Sequence, residues 1–156
     1  MTTKPAGKER RDFLFAAGLG VAALVGGAQS AEAAEWSDAE KANVKTVNDF
    51  CAAVSARDFT RVLPFLADDV AYRMTETTPA IIGHEAISAR YKSFIEGSAT
   101  IEFRVLETFA AGPIVINHRI DHFAMAQPFT WEGVGVFFVK DGKIKEWSDY
   151  TIRMQR

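Results

Sequence analysis

The chain has 156 residues, a formal net charge of −2 and a single cysteine, and 48% of its residues are hydrophobic. This length supports one domain with a hydrophobic core. The slightly acidic balance has no basic block and argues against a nucleic-acid partner. Cys51, the lone cysteine, excludes an intramolecular disulfide.

Residues 1–33 have the three parts of an export signal. A basic start is followed by an apolar run from Phe13 to Val25 and by a cleavage site at Ala31-Glu32-Ala33. The apolar run is shorter than the roughly 20 residues that span a bilayer. Arg10 to Leu14 resembles the twin-arginine consensus. We therefore expect a removable twin-arginine signal, a domain at 34–156 that is periplasmic or secreted, and no stable membrane insertion after cleavage. An ordinary secretory signal and an uncleaved anchor remain alternatives.

Three helices are predicted next. Ser37 to Glu40 forms a capping box, and the following helix, which ends near Arg57, has an apolar stripe of Val44, Val47, Cys51 and Val54. A shorter helix is predicted over Phe59 to Leu66. A short strand, Val70 to Met74, and a polar loop, Thr75 to Ala80, lead to a third helix from Gly83 to about Gly97.

The remaining chain alternates with the period of two that is typical of strands. Long strands are predicted at Thr100 to Ala110, Pro113 to Met125, Phe129 to Lys140 and Lys143 to Met154, and Asp141-Gly142 is a strong hairpin signal. This order predicts an α+β fold, with the N-terminal helices packed on a strongly curved, mainly antiparallel sheet. Such a sheet forms a cone with an internal pocket for a small apolar ligand.

Polar residues on these strands suggest a site. Arg119 and Asp121 are two residues apart, so they project to the same side, while Asp149 and Tyr72 lie on other strands. Alternation alone favours a solvated ion pair for Arg119 and Asp121, because the opposite face of their strand is more apolar.

The motifs together resemble the limonene epoxide hydrolase family, within the superfamily of nuclear transport factor, ketosteroid isomerase and SnoaL-like cyclases. They are Tyr72 on the first strand, Arg119-Ile120-Asp121, Trp147-Ser148-Asp149-Tyr150, and the helix opening from Gly83 to Ile87. The resemblance extends over nearly all of residues 34–156.

An Asp-Arg-Asp triad is what the resemblance implies. Asp149 would take a proton from water, Asp121 would protonate the opening epoxide oxygen, and Arg119 would bridge them, with Tyr72 helping to hold the water. The implied function is cofactor-free hydrolysis of an epoxide on an apolar small molecule. Met74, Phe123, Trp131 and Trp147 are expected to line the substrate pocket.

Met74 departs from the family pattern, which places an asparagine two residues after the tyrosine. Thr75, Glu76 and Asn117 are polar candidates to replace that amide. Two alternatives therefore stay open: a SnoaL-like or ketosteroid-isomerase-like isomerase or cyclase, and a non-enzymatic protein that binds an apolar ligand. The resemblance also implies a homodimer.

A metal site is not expected. His118 and His122 share a strand face but lie about 13 Å apart, too far for one ion, and His84 adds no recognised spacing. The sequence has no phosphate loop and no other cofactor motif, so no cofactor is expected.

Overall fold

The structure, a computed structural model, describes residues 35–155. The predicted signal segment lies outside the described residues. The helices are α1, Asp38–Ser55, and α2, His84–Gly97. The strands are β1 Leu66–Arg73, β2 Ile81–Ile82, β3 Ser98–Ala111, β4 Ile114–Met125, β5 Phe129–Lys140 and β6 Lys143–Gln155.

Helix α1 forms as its sequence predicts. The Ser37 hydroxyl accepts from the backbone N–H of Glu40, and the Glu40 carboxylate accepts from the backbone N–H of Ser37 at 2.8 Å. The predicted apolar stripe is buried. Phe50, on the same side of the helix, packs edge-on against Phe137 and Trp147 of the sheet. The helix therefore covers the concave face of the sheet with apolar side chains.

The prediction of a helix over Phe59 to Leu66 is wrong. The segment forms two short 3₁₀ turns, Phe59–Arg61 and Leu63–Phe65, and Leu66 already belongs to β1. Pro64 explains the difference, because it has no N–H to donate and disfavours the α conformation of the residue before it. The short strand β2 lies just beyond the predicted loop and pairs with β1.

The predicted fold class is confirmed. The sheet has the order β2-β1-β6-β5-β4-β3; β3 to β6 form an antiparallel meander, and β1 pairs with β6 in parallel. The described sheet is curled but not closed. Register shifts in the β1–β6, β3–β4 and β5–β6 pairs mark irregularities of the kind that bend strands.

Strand β4 buries the face that simple alternation assigned to solvent. Asn117, Arg119 and Asp121 are at most 3% exposed. The more apolar face, which contains Ile116 and Ile120, points away from the helices and is only half-buried. The helices pack on the polar side of this strand, so the solvated ion pair expected from alternation is wrong.

Within residues 35–155, no helix is long and apolar enough to cross a membrane.

Candidate active site

Arg119 is the centre of a buried polar cluster on the concave face of the sheet. Its Nε donates to both carboxylate oxygens of Asp121 at 3.1 Å, and its Nη2 donates to Oδ1 of Asp149 at 2.7 Å. Its Nη1 donates to Oδ1 of Asn117 at 3.1 Å. Each nitrogen of the planar guanidinium therefore has its own acceptor, and the guanidinium bridges the two carboxylates.

Aromatic rings surround this guanidinium. Its carbon lies 4.9 Å from the ring centroid of Phe103, 4.8 Å from that of Trp131 and 5.9 Å from that of Trp147. Cation–π attraction at such distances stabilises a desolvated cation. Burial opposes the charge of Arg119, but the two carboxylates outweigh it and raise the pKa, so the side chain stays protonated.

Two glycines of β5 make room for the cluster. Gly135 lies opposite Asn117 on one side and Asp149 on the other. A Cβ there would come within 2.8 Å of Oδ1 of Asn117 and still closer to the Arg119 guanidinium. A Cβ at Gly133 would overlap the Trp131 ring. The guanidinium and the indole thus lie over backbone where other residues would place side chains.

Asp149 is held through different atoms on its two sides. Oδ1 accepts from Arg119 and from Nε1 of Trp147, the latter at 2.8 Å. Oδ2 accepts from the Tyr72 hydroxyl at 3.2 Å. Since Oδ1 already has two donors, Oδ2 is the oxygen with a lone pair left for a molecule in the pocket.

Burial changes the acidity of both carboxyl groups. It raises the pKa of Asp121 to about 7, against the attraction of Arg119. Burial also raises the pKa of Asp149, while hydrogen bonds from Arg119, Trp147 and Tyr72 favour its charged form. Asp149 has three donor side chains and Asp121 has one. This difference favours an arrangement in which Asp149 carries the negative charge and Asp121 keeps its proton below about pH 7.

The two tyrosines above the acids stay neutral. Burial raises the pKa of Tyr72 and of Tyr91 well above the ordinary value. Tyr72 stacks on Trp147 with ring centroids 3.9 Å apart and lies 5.7 Å from the Tyr91 ring. The Tyr72 hydroxyl is therefore a fixed neutral group beside Oδ2 of Asp149.

These groups face a pocket of about 380 Å³. Its lining includes both acids and Tyr72, and among the residues expected to form the pocket it includes Met74, Phe123 and Trp131. Trp147 lies instead beneath Tyr72 in the core, 1% exposed, and contacts the site through Asp149. The structure therefore brings Tyr72, Arg119, Asp121 and Asp149 together at one end of an apolar pocket.

Met74 occupies the position where the family pattern has an asparagine, so its side chain has no amide to hold a water molecule. Its sulfur accepts from Nη2 of Arg90 at 3.2 Å. Of the polar candidates, Thr75 lines the pocket, whereas the Glu76 carboxylate accepts from the backbone N–H of Thr151 at 2.6 Å. Asn117 lies behind Arg119 and is not part of the lining. Of the three polar residues considered as replacements for the amide, Thr75 is therefore the one that lines the pocket.

Sequence reasoning missed Gly133 and Gly135, and it named Asn117 only as a possible replacement for the missing amide. Asn117 links Arg119 to helix α1, because its amide nitrogen donates to Sγ of Cys51 at 3.5 Å. Burial raises the pKa of the Cys51 thiol to about 12. Gly133 and Gly135 could have been recognised, since two glycines on one face of a strand often mark a close approach. The spacing of Asn117 two residues before Arg119 indicated a shared face, but not its contact with Cys51 of helix α1.

Residues 35–155 contain no group of three or more histidine, cysteine or acidic side chains arranged to hold a metal ion.

The structure is thus an α+β fold of the cone type, with helices packed on a curled sheet and a carboxylate–guanidinium–carboxylate cluster at the base of an apolar pocket. Residues 47–147 match the family profile of the SnoaL-like domain. The chain belongs to the SnoaL-like domain family. A comparison with curated proteins finds no match to the chain.

Solved structures agree with this assignment. A limonene-epoxide-hydrolase-like epoxide hydrolase of M. tuberculosis is 26% identical, with a TM-score of 0.65 over 72% of this chain and 84% of that chain. A Jannaschia sp. CCS1 protein named for its likeness to SnoaL-like polyketide cyclases is 18% identical, with a TM-score of 0.68 over 76% and 91%. TerC, crystallised with polyporic acid, is 16% identical, with a TM-score of 0.60 over 69% and 89%. The last two similarities concern the fold alone.

Proposed function

We propose that the domain hydrolyses an epoxide on an apolar small molecule without a cofactor. The observation that carries the proposal is Arg119, buried between Asp121 and Asp149, with both acids facing one apolar pocket. The similarity to an epoxide hydrolase of M. tuberculosis supports it.

In this mechanism Oδ2 of Asp149 accepts a proton from a water molecule, and the water oxygen bonds to an epoxide carbon. The carbon–oxygen bond of the ring breaks as Asp121 gives its proton to the departing oxygen. The product is a vicinal diol, and a proton has moved from Asp121 to Asp149. Arg119 holds both groups in place and compensates their charge. Proton exchange with solvent restores the starting state.

The test is diol formation from a panel of apolar epoxides by the domain and its variants. Asp149→Asn and Asp121→Asn each lose about 10²- to 10⁴-fold in kcat/KM, because each removes one proton-transfer group. Asp141→Asn is the matched control, since it makes the same change in an exposed hairpin turn. Full activity in both site variants would refute the mechanism.

Isotope labelling separates direct attack from a covalent route. In a single turnover in H₂¹⁸O, direct attack by water places the label in the diol. An ester formed by a carboxylate would place it in the protein instead. Label found on Asp121 or Asp149 would exclude the proposed base.

An isomerase or cyclase is the second candidate, and Met74 favours it. The thioether stands where the epoxide hydrolase pattern has an amide to hold water, and it contacts Arg90 instead. A proton shuttle on Asp149 needs no fixed water. Exchange of protons alpha to a ketone in deuterated water, without diol formation from any epoxide, would support this candidate over the first.

We also propose that the domain forms a homodimer through the convex face of the sheet. This face has partly exposed apolar residues in β4 and β5, and Tyr150 and Ile152 of β6 are 46% and 60% exposed. Apolar surface of this kind is typical of interfaces. Light scattering should give a dimer mass that Ile152→Glu reduces to a monomer; a monomeric starting protein would refute the proposal.

Export by the twin-arginine route is likewise a proposal. Replacing Arg10 and Arg11 with lysine should keep the protein in the cytoplasm, because the pathway discriminates between the two cations. Continued export of the double variant would refute the pathway.

A further inference from the structure

The pocket has charged groups of both signs, held by different elements. Asp121 and Asp149 are 3% and 5% exposed and belong to β4 and β6. Arg90, on α2, is an exposed residue, and within residues 35–155 it is the only cation among the lining residues. The acids therefore mark the floor of the pocket, and Arg90 marks its solvent side.

Contacts with the pocket wall direct the Arg90 guanidinium along the lining. Its Nη2 donates to the Met74 sulfur at 3.2 Å, and its carbon lies 4.8 Å from the centroid of the Phe94 ring. Both Met74 and Phe94 line the pocket. A carboxylate that enters the pocket at this wall meets a guanidinium donor that belongs to the lining.

Aromatic side chains connect the two ends. Tyr91, next to Arg90 in the chain, contacts Phe94 at 6.4 Å and Tyr72 at 5.7 Å between ring centroids, and the Tyr72 hydroxyl reaches Asp149. A ligand that spans the pocket would meet apolar rings along its length, acids at one end and a cation at the other.

We propose that Arg90 binds a carboxylate on the substrate, so that the substrate class is an apolar epoxide with one carboxylate head group. This inference rests on the proposed epoxide hydrolysis. The planar guanidinium fork matches a carboxylate in shape and charge. The same contact keeps the substrate's own negative charge at the solvent side, away from Asp149. The epoxide carbon is thereby oriented towards the floor.

The experiment compares an epoxy carboxylic acid with its methyl ester in the unmodified protein and in Arg90→Gln. The variant raises KM for the acid about tenfold, the effect of one charge-assisted hydrogen bond, and leaves the ester within twofold. Arg90→Lys restores part of the loss because it restores the charge. Arg104→Gln, in an exposed arginine of β3, is the matched control and changes neither substrate.

Binding of decanoate, measured by displacement of a fluorescent apolar probe, tests Arg90 without any turnover. Decanoate binding weakened in Arg90→Gln, while binding of decanol is unchanged, supports the carboxylate site even if no epoxide is hydrolysed. If Arg90→Gln still forms diol but changes KM equally for the acid and for the ester, the inference is overturned and the hydrolase mechanism is left intact. Equal binding of decanoate by both proteins would overturn it as well.

Discussion

Gly135→Ala tests whether the guanidinium cluster depends on a missing side chain. An added Cβ would lie 2.7 Å from Cε2 of Phe137 and 2.8 Å from Oδ1 of Asn117, and nearer still to Nη1 of Arg119. Phe137 and Asn117 have no exposed surface and Arg119 is 1% exposed, so none of them can move towards solvent. Overpacking of this kind costs about 1–3 kcal/mol. At roughly 4 °C per kcal/mol for a domain of this size, a cost of about 2 kcal/mol lowers Tm by about 8 °C.

Activity should fall further than stability alone explains. The added methyl group displaces the guanidinium that fixes both acids, and a displacement of about 1 Å can reduce kcat/KM about 10²-fold. Thermal unfolding and diol formation are measured on the same preparation. Gly97→Ala, at the end of α2, is the control: its Cβ would meet only a Met125 methyl at 3.5 Å, so Tm is kept or raised. If Gly135→Ala melts within about 2 °C of the unmodified protein and keeps full activity, the packing argument is refuted.

Four further predictions follow from the site and its supports. The kcat/KM for epoxide hydrolysis should fall as pH rises through about 7, because the Asp121 acid then loses its proton; a rate still rising at pH 9 would contradict this role. Trp147→Phe removes one hydrogen-bond donor to Asp149, which should raise the pKa of that carboxyl group. The pH below which kcat/KM falls should therefore be higher in the variant, and an unchanged pH would contradict the contribution of that hydrogen bond. Ser37→Ala removes the α1 cap and should lower stability by about 1 kcal/mol in a denaturant titration with activity unchanged. Cys51, with a pKa raised to about 12 by burial, should react with a thiol reagent only as fast as the domain unfolds; rapid labelling of the native domain would contradict its burial.

Local signals predicted much of the fold. The capping box at Ser37 predicted the start of α1, and Asp141-Gly142 predicted the β5–β6 turn, where both residues have positive φ. These features depend on residues close together in the chain. The segment at Phe59 to Leu66 was predicted less well, since its apolar spacing suggests a helix while Pro64 permits only short turns.

Predicting the site required the order and register of several strands, which the sequence pattern of one strand cannot provide. The spacing of Arg119 and Asp121 shows that they share a face, but alternation assigns that face to solvent. Asp149 comes within reach of Arg119 only because β5 lies between β4 and β6, with Gly135 opposite Asn117 and Asp149. Strand order and register therefore decide the site, and here the family resemblance supplied the grouping that periodicity could not.

The physical cost of this cluster is itself an argument about function. A buried ion network is seldom the most stable solution, since apolar residues of similar volume can replace it without loss. Here the chain buries Arg119 with two acids and gives up side chains at Gly133 and Gly135 for it. Nothing in the packing of the sheet requires these groups, because Val115 and Phe137 form an apolar pair on the same face of β4 and β5. A departure from apolar packing that ends with two carboxyl groups facing a pocket therefore supports the proposal that the domain performs chemistry on a bound molecule.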